Sequence, residues 1–277
     1  MMLKISVLSG KGCAGKTFVS TNLANVIKNS TYIDMDVEEP NGLNYFKVKD
    51  IKEHLVKVKI PQIDYQKCTN CRNCVDACVY GGLMFISKPI VLENICHHCT
   101  KCTYVCKNGA IDLKEKTIGQ VISAKTIDKD LNVVSGKMEI LEASGVEIIN
   151  AEKAFFSEIN IIDSPPGTGC LTISSIIDSD YLLVVVEASE FGLHNLKMVI
   201  DLARELEKPF GIVINKSRNK ANIIYNYAKK NHLIILETFA FDKELYQKNS
   251  NALLVSDETK YRAKFNHLKE QLWEQVL

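Results

Sequence analysis

Short, mostly apolar runs separated by polar, glycine-rich or proline-rich stretches recur along the chain. Clear examples are residues 5–8, 159–162 and 181–186. Runs of this length are typical of strands buried in a parallel sheet. Residues 191–207, between two such runs, are predicted to form a helix. The alternation predicts an α/β fold, a doubly wound and mostly parallel sheet with helices on both faces.

Two further segments have patterns of their own. Residues 132–137, Asn-Val-Val-Ser-Gly-Lys, are predicted to form a turn between short strands. At the C-terminal end, apolar residues at steps of three and four predict a final helix; they are Tyr261, Phe265, Leu268, Leu272 and Val276. The polar face of this helix carries both signs of charge, which favours packing on the sheet over binding to a membrane surface.

Length and charge limit the classes of function. The chain has 277 residues, is 46% hydrophobic and carries a formal net charge of +1. It is long enough for a large core, and its charge gives no electrostatic reason to expect a nucleic-acid partner. No apolar run approaches the roughly 20 residues that span a bilayer, so we expect no stable membrane insertion. Because the chain begins directly with the first strand, without a signal segment, we expect a cytoplasmic protein.

The first chemical motif follows the first predicted strand. Residues 10–17 have the spacing G-x-x-x-x-G-K-T of a phosphate loop, formed by Gly10, Lys11, Gly12, Cys13, Ala14, Gly15, Lys16 and Thr17. Glycine lets the backbone approach a phosphate closely, and the following helix presents its N–H groups to the anion. Lys16 would contact the β- and γ-phosphates, and the Thr17 hydroxyl would bind Mg²⁺. A chance match is the alternative, but a strand before the loop and a helix after it favour a nucleotide site.

Carboxylates follow two of the predicted strands. Asp34 and Asp36 come after residues 31–33, and Asp163 comes after residues 159–162. Ligands bind at the carboxyl ends of parallel strands in such sheets, although solvated strand ends are the alternative. Asp163 follows the logic of a Walker B acid, which holds Mg²⁺ through water. We therefore predict that these residues share the site of the phosphate loop.

Eight of the ten cysteines lie between residues 68 and 106. They form two blocks with the same 2-2-3 spacing, 28 residues apart: Cys68, Cys71, Cys74 and Cys78, then Cys96, Cys99, Cys102 and Cys106. This is the spacing of a bacterial ferredoxin with two [4Fe-4S] clusters, in which the fourth cysteine of each block binds the other cluster. Zinc is the alternative, since C-x₂-C pairs also bind zinc, but the repeated sets of four favour clusters.

The spacing thus predicts two ligand sets. The first cluster would be held by Cys68, Cys71, Cys74 and Cys106, and the second by Cys96, Cys99, Cys102 and Cys78. The prolines that usually follow the fourth cysteine are replaced by Val79 and Lys107. His97 and His98 are expected to be exposed loop residues, because the cysteine sets are already complete.

Lys11, directly after the first glycine of the loop, is the mark of the deviant Walker A motif. The chain also has D-x-D at residues 34–36 and D-S-P-P-G at residues 163–167. With these three motifs in this order, nearly the whole chain resembles the MinD/ParA-type ATPases. That group includes the nitrogenase iron protein and the Mrp-type iron–sulfur carriers. The resemblance implies a homodimer with ATP between the subunits and Lys11 reaching the partner's nucleotide. It also implies that Asp36 orients the attacking water, Gly167 senses the γ-phosphate and Asn215 reads adenine.

One residue departs from the family pattern. Cys13 stands where the family usually has glycine. We expect its thiol to pack as a small hydrophobic group, with sensitivity of the ATPase to oxidation as the alternative.

The sequence divides into an ATPase domain at residues 1–59 and 117–277 and an inserted ferredoxin domain at residues 60–116. The cofactors implied are two [4Fe-4S] clusters, ATP or ADP, and Mg²⁺. An ATPase that gates electron transfer to a redox partner protein is the first hypothesis, and an Mrp-type cluster carrier or assembly ATPase with a cluster-accepting partner is the second. The second half of the chain lacks the paired C-x₂-C of Mrp-type carriers, which favours the first. A positioning protein on membrane or DNA is a third, disfavoured by the neutral charge.

Overall fold

A nine-stranded sheet organises the protein, whose computed structural model describes residues 2–219 and 223–276. The strands along the chain are β1 (Leu3–Leu8), β2 (Ser30–Asp34), β3 (Val48–Ile63), β4 (Leu83–Phe85), β5 (Pro89–Val91), β6 (Ile111–Thr126), β7 (Asn132–Met138), β8 (Ile159–Asp163), β9 (Tyr181–Glu187), β10 (Phe210–Ser217) and β11 (Ile235–Ala240). The large sheet has the order β11-β10-β9-β1-β8-β2-β7-β6-β3, and β4 and β5 form a separate hairpin.

The α-helices of the described residues lie between these strands along the chain or, for the last two, after β11. They are α1 (Lys16–Val26), α2 (Asn73–Asp76), α3 (Lys101–Val105), α4 (Val146–Glu152), α5 (Cys170–Ile176), α6 (Glu190–Glu205), α7 (Ile223–Lys230), α8 (Lys243–Ser250) and α9 (Thr259–Val276). Every pair of neighbours from β11 to β7 is parallel, whereas β6 and β3 are added antiparallel at the edge. The prediction of an α/β fold with a mostly parallel sheet is therefore confirmed.

Apolar side chains project from both faces of the sheet and pack against helices. On one face, Phe18 of α1, Phe239 of β11 and Phe265 of α9 meet with ring centroids 4.9 to 5.7 Å apart. On the other face, alternate residues of β9 pack against α6. The C-terminal helix packs on the sheet as predicted, because its apolar stripe is buried at Tyr261, Phe265, Leu268 and Leu272. Among the described residues, no helix has both the length and the hydropathy to cross a bilayer.

The expected turn at residues 132–137 is wrong. These residues form β7, an inner strand paired with β2 on one side and β6 on the other. Gly136 lies in mid-strand because the Glu152 carboxylate occupies the space beside it, where a Cβ would meet the Glu152 Cδ and Oε2 at 2.8 Å. Its N–H donates a 2.7 Å hydrogen bond to Glu152 Oε1. Glycine here serves close packing rather than a turn.

The cysteine blocks project from the sheet on a long two-stranded arm. Strands β3 and β6 are each 16 residues long and pair from Val48–Thr126 to Ile63–Ile111. We call residues 64–110, which lie beyond the last pair, the cysteine module. The predicted domain boundaries at residues 59/60 and 116/117 fall inside these two strands, and the division into domains stays a prediction.

Candidate nucleotide site and cysteine cavities

The phosphate loop joins the end of β1 to the start of α1. Cys13 and Gly15 have left-handed backbone conformations, with φ of 61° and 102°. Such turns make a concave nest of backbone N–H groups that suits an anion. Gly15 also lacks room for a side chain, because a Cβ would lie 2.2 Å from the Asn215 amide nitrogen. The loop therefore has the local conformation that a phosphate site needs.

The expectation that Cys13 packs as a buried thiol is wrong. Its side chain is exposed, because the left-handed turn at this residue directs it out of the loop. It lines the cavity that opens beside Lys16 and Thr17.

Three predicted site residues meet at the carboxyl ends of the strands. The Lys16 ammonium lies 3.4 Å from Asp36 Oδ2 and 4.0 Å from Asp163 Oδ1. Asp163 is fully buried, and its Oδ1 has no hydrogen-bond partner among the described residues. A buried carboxylate oxygen without a hydrogen bond, 4.0 Å from the ammonium of the residue that precedes Thr17, is a donor of the kind that Mg²⁺ prefers. The residues present thus fit a magnesium ion held by Asp163 and Thr17.

Buried hydrogen bonds hold the carboxylates in place. Tyr32 of β2, which the sequence analysis missed, donates from its hydroxyl to Asp163 Oδ2 at 3.1 Å. Asp34 accepts from the Gly42 N–H at 2.7 Å and from the Asp36 N–H at 3.3 Å. Burial, followed by the nearby Asp163, raises the pKa of Asp34 well above its usual value. Asp34 therefore acts as a support for the loop that carries Asp36.

Burial also raises the pKa of Asp36, while the Lys16 ammonium opposes that shift. Tyr32 is completely buried, and its burial and the Asp163 carboxylate raise its pKa well above its usual value. It therefore stays protonated and donates. No spacing in the sequence marks Tyr32, since an aromatic residue inside a buried strand is ordinarily a core residue.

A cavity of about 490 Å³ opens beside Lys16 and Thr17. Its walls come from the phosphate loop, residues 41–45, Asn215 and residues 240–252. Asn215 lines it, but its amide donates to the Ala14 carbonyl at 2.9 Å and its Oδ1 accepts from the Lys216 N–H at 2.9 Å. Gly167 has φ of 91° and donates its N–H to the Ser9 carbonyl at 2.9 Å. Both residues thus touch the phosphate loop, and their nucleotide contacts stay predictions.

Lys11 lies apart from Lys16, on the β9 side of the loop. Its ammonium makes a 3.1 Å ion pair with Glu187 at the end of β9 and lies 5.0 Å from the Phe191 ring centroid. The two partners are three-quarters and two-thirds buried, with side-chain exposures of 25% and 32%. Lys11 is therefore held within its own subunit.

The eight clustered cysteines line two separate cavities of the cysteine module. One cavity is lined by Cys68, Cys71, Cys74 and Cys106. The other is lined by Cys78, Cys96, Cys99 and Cys102. Each cavity thus combines three cysteines of one block with the fourth cysteine of the other. This is the grouping that the sequence predicts for the two ligand sets.

The two blocks also share their backbone conformation. Left-handed residues recur at the 28-residue offset of the sequence repeat: Asn70 and His98, Arg72 and Thr100, Gly81 and Gly109. Repeated left-handed turns aim successive N–H groups inward, a feature common to phosphate and iron–sulfur sites. The Ala110 N–H already donates to the Cys106 sulfur at 3.3 Å.

No group of three or more Cys, His, Asp or Glu side chains in the described residues is arranged to hold a single metal ion. Burial raises the pKa of Cys102 to about 11, and the neighbouring Cys96 and Cys99 add to the shift. Free thiols are thus favoured over thiolates without a bound cation. His97 is exposed as expected, whereas His98 is half-buried.

A phosphate loop after the first strand, with a lysine and two carboxylates converging at neighbouring strand ends, defines a P-loop nucleotide-binding protein. The chain belongs to the CobQ/CobB/MinD/ParA nucleotide-binding domain family, whose model matches residues 5–255.

Two relatives from Methanocaldococcus jannaschii are similar in sequence. The uncharacterized protein MJ0579 is 32% identical over 224 residues, which cover 78% of this chain and 80% of that protein. The uncharacterized protein MJ0578 is 29% identical over 284 residues, which cover 99% and 98%.

Solved structures share the fold. The septum site-determining protein MinD from Pyrococcus horikoshii OT3, complexed with Mg-ADP, is 16% identical with a TM-score of 0.60 over 98% of this chain and 96% of that chain. The cell division ATPase MinD of Pyrococcus furiosus is 17% identical with a TM-score of 0.61 over 99% and 100%. At these identities the likeness concerns the fold alone.

Proposed function

We propose that this protein is an ATP-hydrolysing iron–sulfur protein that acts as an ATP-gated, homodimeric electron-transfer protein. The observation that carries the proposal is the pair of cavities, each lined by four cysteines drawn from both blocks. Its ATPase part rests on family membership and on the convergence of Lys16, Asp36 and Asp163. A solved neighbour with Mg-ADP bound adds support for a magnesium nucleotide.

In this proposal the phosphate loop binds ATP, and Thr17 and Asp163 hold Mg²⁺. Lys16 and the partner subunit's copy of Lys11 neutralise charge that develops on the transferred phosphoryl group. Asp36 orients the attacking water. Gly167 exchanges its hydrogen bond with the Ser9 carbonyl for the γ-phosphate, and Asn215 contacts adenine.

The cysteine module supplies the redox part. Cys68, Cys71, Cys74 and Cys106 hold one [4Fe-4S] cluster, and Cys78, Cys96, Cys99 and Cys102 hold the other. The clusters, when bound, take up and release single electrons. Complete ligand sets within one chain favour clusters that are retained, and so favour electron transfer to a redox partner over an Mrp-type carrier function.

The proposed homodimer requires Lys11 to change its contacts, and this requirement can be tested. In the single subunit its ammonium is paired with Glu187, so reaching a partner's nucleotide requires that pair to break. We expect Glu187→Gln to strengthen ATP-dependent dimerisation about fivefold, because an ion pair that water still reaches in part is worth about 1 kcal/mol. Sedimentation velocity of a hydrolysis-deficient Asp36→Ala background, with ATP and with ADP, measures the effect.

The matched control is Glu190→Gln, which removes an exposed carboxylate from the same segment without touching Lys11. Lys11→Ala is expected to leave the protein monomeric with ATP. A dimer that forms equally well in Lys11→Ala would show that Lys11 does not bridge the subunits.

Electron paramagnetic resonance tests the proposed function as a whole. Anaerobically purified protein is expected to contain about eight iron atoms per chain. The spectrum of the reduced protein should change on addition of Mg-ATP, and Lys11→Ala should abolish that change while the iron content stays the same. If the clusters are complete but their spectrum and midpoint potential do not change with ATP, gating of electron transfer is contradicted. Rapid transfer of clusters to an apo-acceptor would favour the carrier function.

A further inference from the structure

A second large cavity lies between the cysteine module and the sheet. It measures about 610 Å³ and is distinct from the nucleotide cavity. It is lined by Tyr80, His97 and His98 of the cysteine module and, among other residues, by residues 165–166 and 169–172. We call this cavity the module groove. Its volume falls within the roughly 300–1,000 Å³ of small-molecule sites.

Aromatic and apolar groups form much of the module groove. Tyr80 and His97 stack face to face, with ring centroids 4.1 Å apart and an interplanar angle of 15°. Met138, Val146 and Leu171 supply apolar surface. An aromatic pair over apolar side chains suits a flat, conjugated ligand better than a sugar or a free phosphate.

The charges of the module groove are negative. Glu38 and Glu147 line it, and neither makes an ion pair with any residue that the structure describes. No lysine or arginine of the described residues lines the module groove. His98 also lines the module groove, and its Nε2 is buried without a hydrogen-bond partner among the described residues. Two uncompensated carboxylates attract a cation and repel an anion.

We propose that the module groove binds a small, planar aromatic molecule that carries positive charge. The aromatic stack would contact its face, while Glu38 and Glu147 balance its charge. Binding of this molecule requires no cluster. Its role as an electron donor or acceptor rests on the proposed function. His97 and His98 lie between Cys96 and Cys99, so the ligand would lie beside the second cysteine cavity.

Two segments of the chain connect the module groove with the nucleotide site. Pro166 and Gly169 line the groove, and Gly167 between them donates its N–H to the Ser9 carbonyl beside the phosphate loop. Glu38 is two residues beyond Asp36. A nucleotide that moves either segment changes the shape of the module groove, so we expect ADP and a non-hydrolysable ATP analogue to give different ligand affinities.

Oxidised methyl viologen, a planar aromatic dication, is a suitable probe, and anthraquinone-2-sulfonate is its anionic counterpart. Equilibrium dialysis of the full chain should show saturable binding of one viologen and at least about tenfold weaker binding of the quinone, a difference of about 1.4 kcal/mol. Ala143→Trp and Val146→Trp, which fill the module groove from different positions, should each weaken viologen binding about tenfold or more. Glu147→Gln should weaken it about fivefold.

Ile140→Trp is the control, since Ile140 is on the same connection but is 89% exposed and does not line the module groove. Viologen binding that neither filling variant weakens, or tighter binding of the anionic quinone, would overturn the inference. Iron content and ATP turnover are measured on the same samples. If protein with full iron content and ATPase activity does not bind viologen, only the inference about the module groove is overturned. If protein that holds no iron still binds viologen in the groove, only the proposed function is contradicted.

Discussion

Lys16→Ala is expected to lower ATP turnover by at least about a hundredfold. The Lys16 ammonium lies 3.4 Å from Asp36 and 4.0 Å from Asp163, in a site that must accept a polyanionic nucleotide. Without the lysine, the two carboxylates would face the phosphates without the ammonium that pairs with them, and a charge-stabilising contact of this kind is commonly worth a factor of 10² to 10³. Phosphate release at saturating Mg-ATP measures the loss.

Lys57→Ala is the matched control. Lys57 pairs with Glu115 on the exposed arm, at 3.1 Å, far from the phosphate loop in the strand order. It should leave ATP turnover within about twofold of the wild type, because exposed ion pairs contribute little. Thermal melting of both variants checks that each is folded. If folded Lys16→Ala hydrolyses ATP at a rate near the wild type, the phosphate loop is not the catalytic site.

Paired cysteine substitutions are expected to remove either one cluster or both, according to the cavity they touch. Cys68→Ala with Cys106→Ala affects a single cavity and should leave about four iron atoms per chain. Cys68→Ala with Cys78→Ala affects both cavities and should leave close to none. Iron and acid-labile sulfide, assayed after anaerobic purification, distinguish the two results.

The two double variants control for each other, since each removes two thiols. If each block of four cysteines held its own cluster, the results would be reversed. Cys68→Ala with Cys78→Ala would then keep about four iron atoms, and Cys68→Ala with Cys106→Ala would lose nearly all. Zinc in place of iron in the wild type would contradict both arrangements.

The sequence predicts a loop between a strand and a helix at residues 10–17, and its grouping of the cysteines matches the lining of the two cavities, because each depends on local chemistry. Glycines at Gly10 and Gly15 set the loop, and the 2-2-3 spacing sets which thiols can face one cavity. The position of Asp163 is also a local signal, since it terminates an apolar strand, while its role as a magnesium ligand and the cluster ligand sets stay predictions. Such local patterns can be recognised in the sequence without knowledge of the rest of the fold.

Other features depend on partners distant in sequence. Gly136 looks like a turn residue until Glu152 is placed beside it. Tyr32 becomes a support of the site only because β2 pairs with β8 and brings its hydroxyl to Asp163. The first half of β3, with Ile51 and Leu55 open to solvent, lacks the alternation of a half-buried strand, which begins only at Val56. These contacts are set by tertiary structure, which single-sequence patterns do not record.

The arm has an evolutionary consequence. The cysteine module begins and ends next to one pair of facing residues, Ile63 and Ile111, and the Asp64 N–H donates to the Ala110 carbonyl directly beyond them. A segment whose two ends lie side by side can be gained or lost in one genetic event, because a short turn closes the same hairpin. The order of the sheet and its phosphate loop would pass unchanged through that event, so the cysteine module and the nucleotide-binding domain can have separate ancestries within one chain.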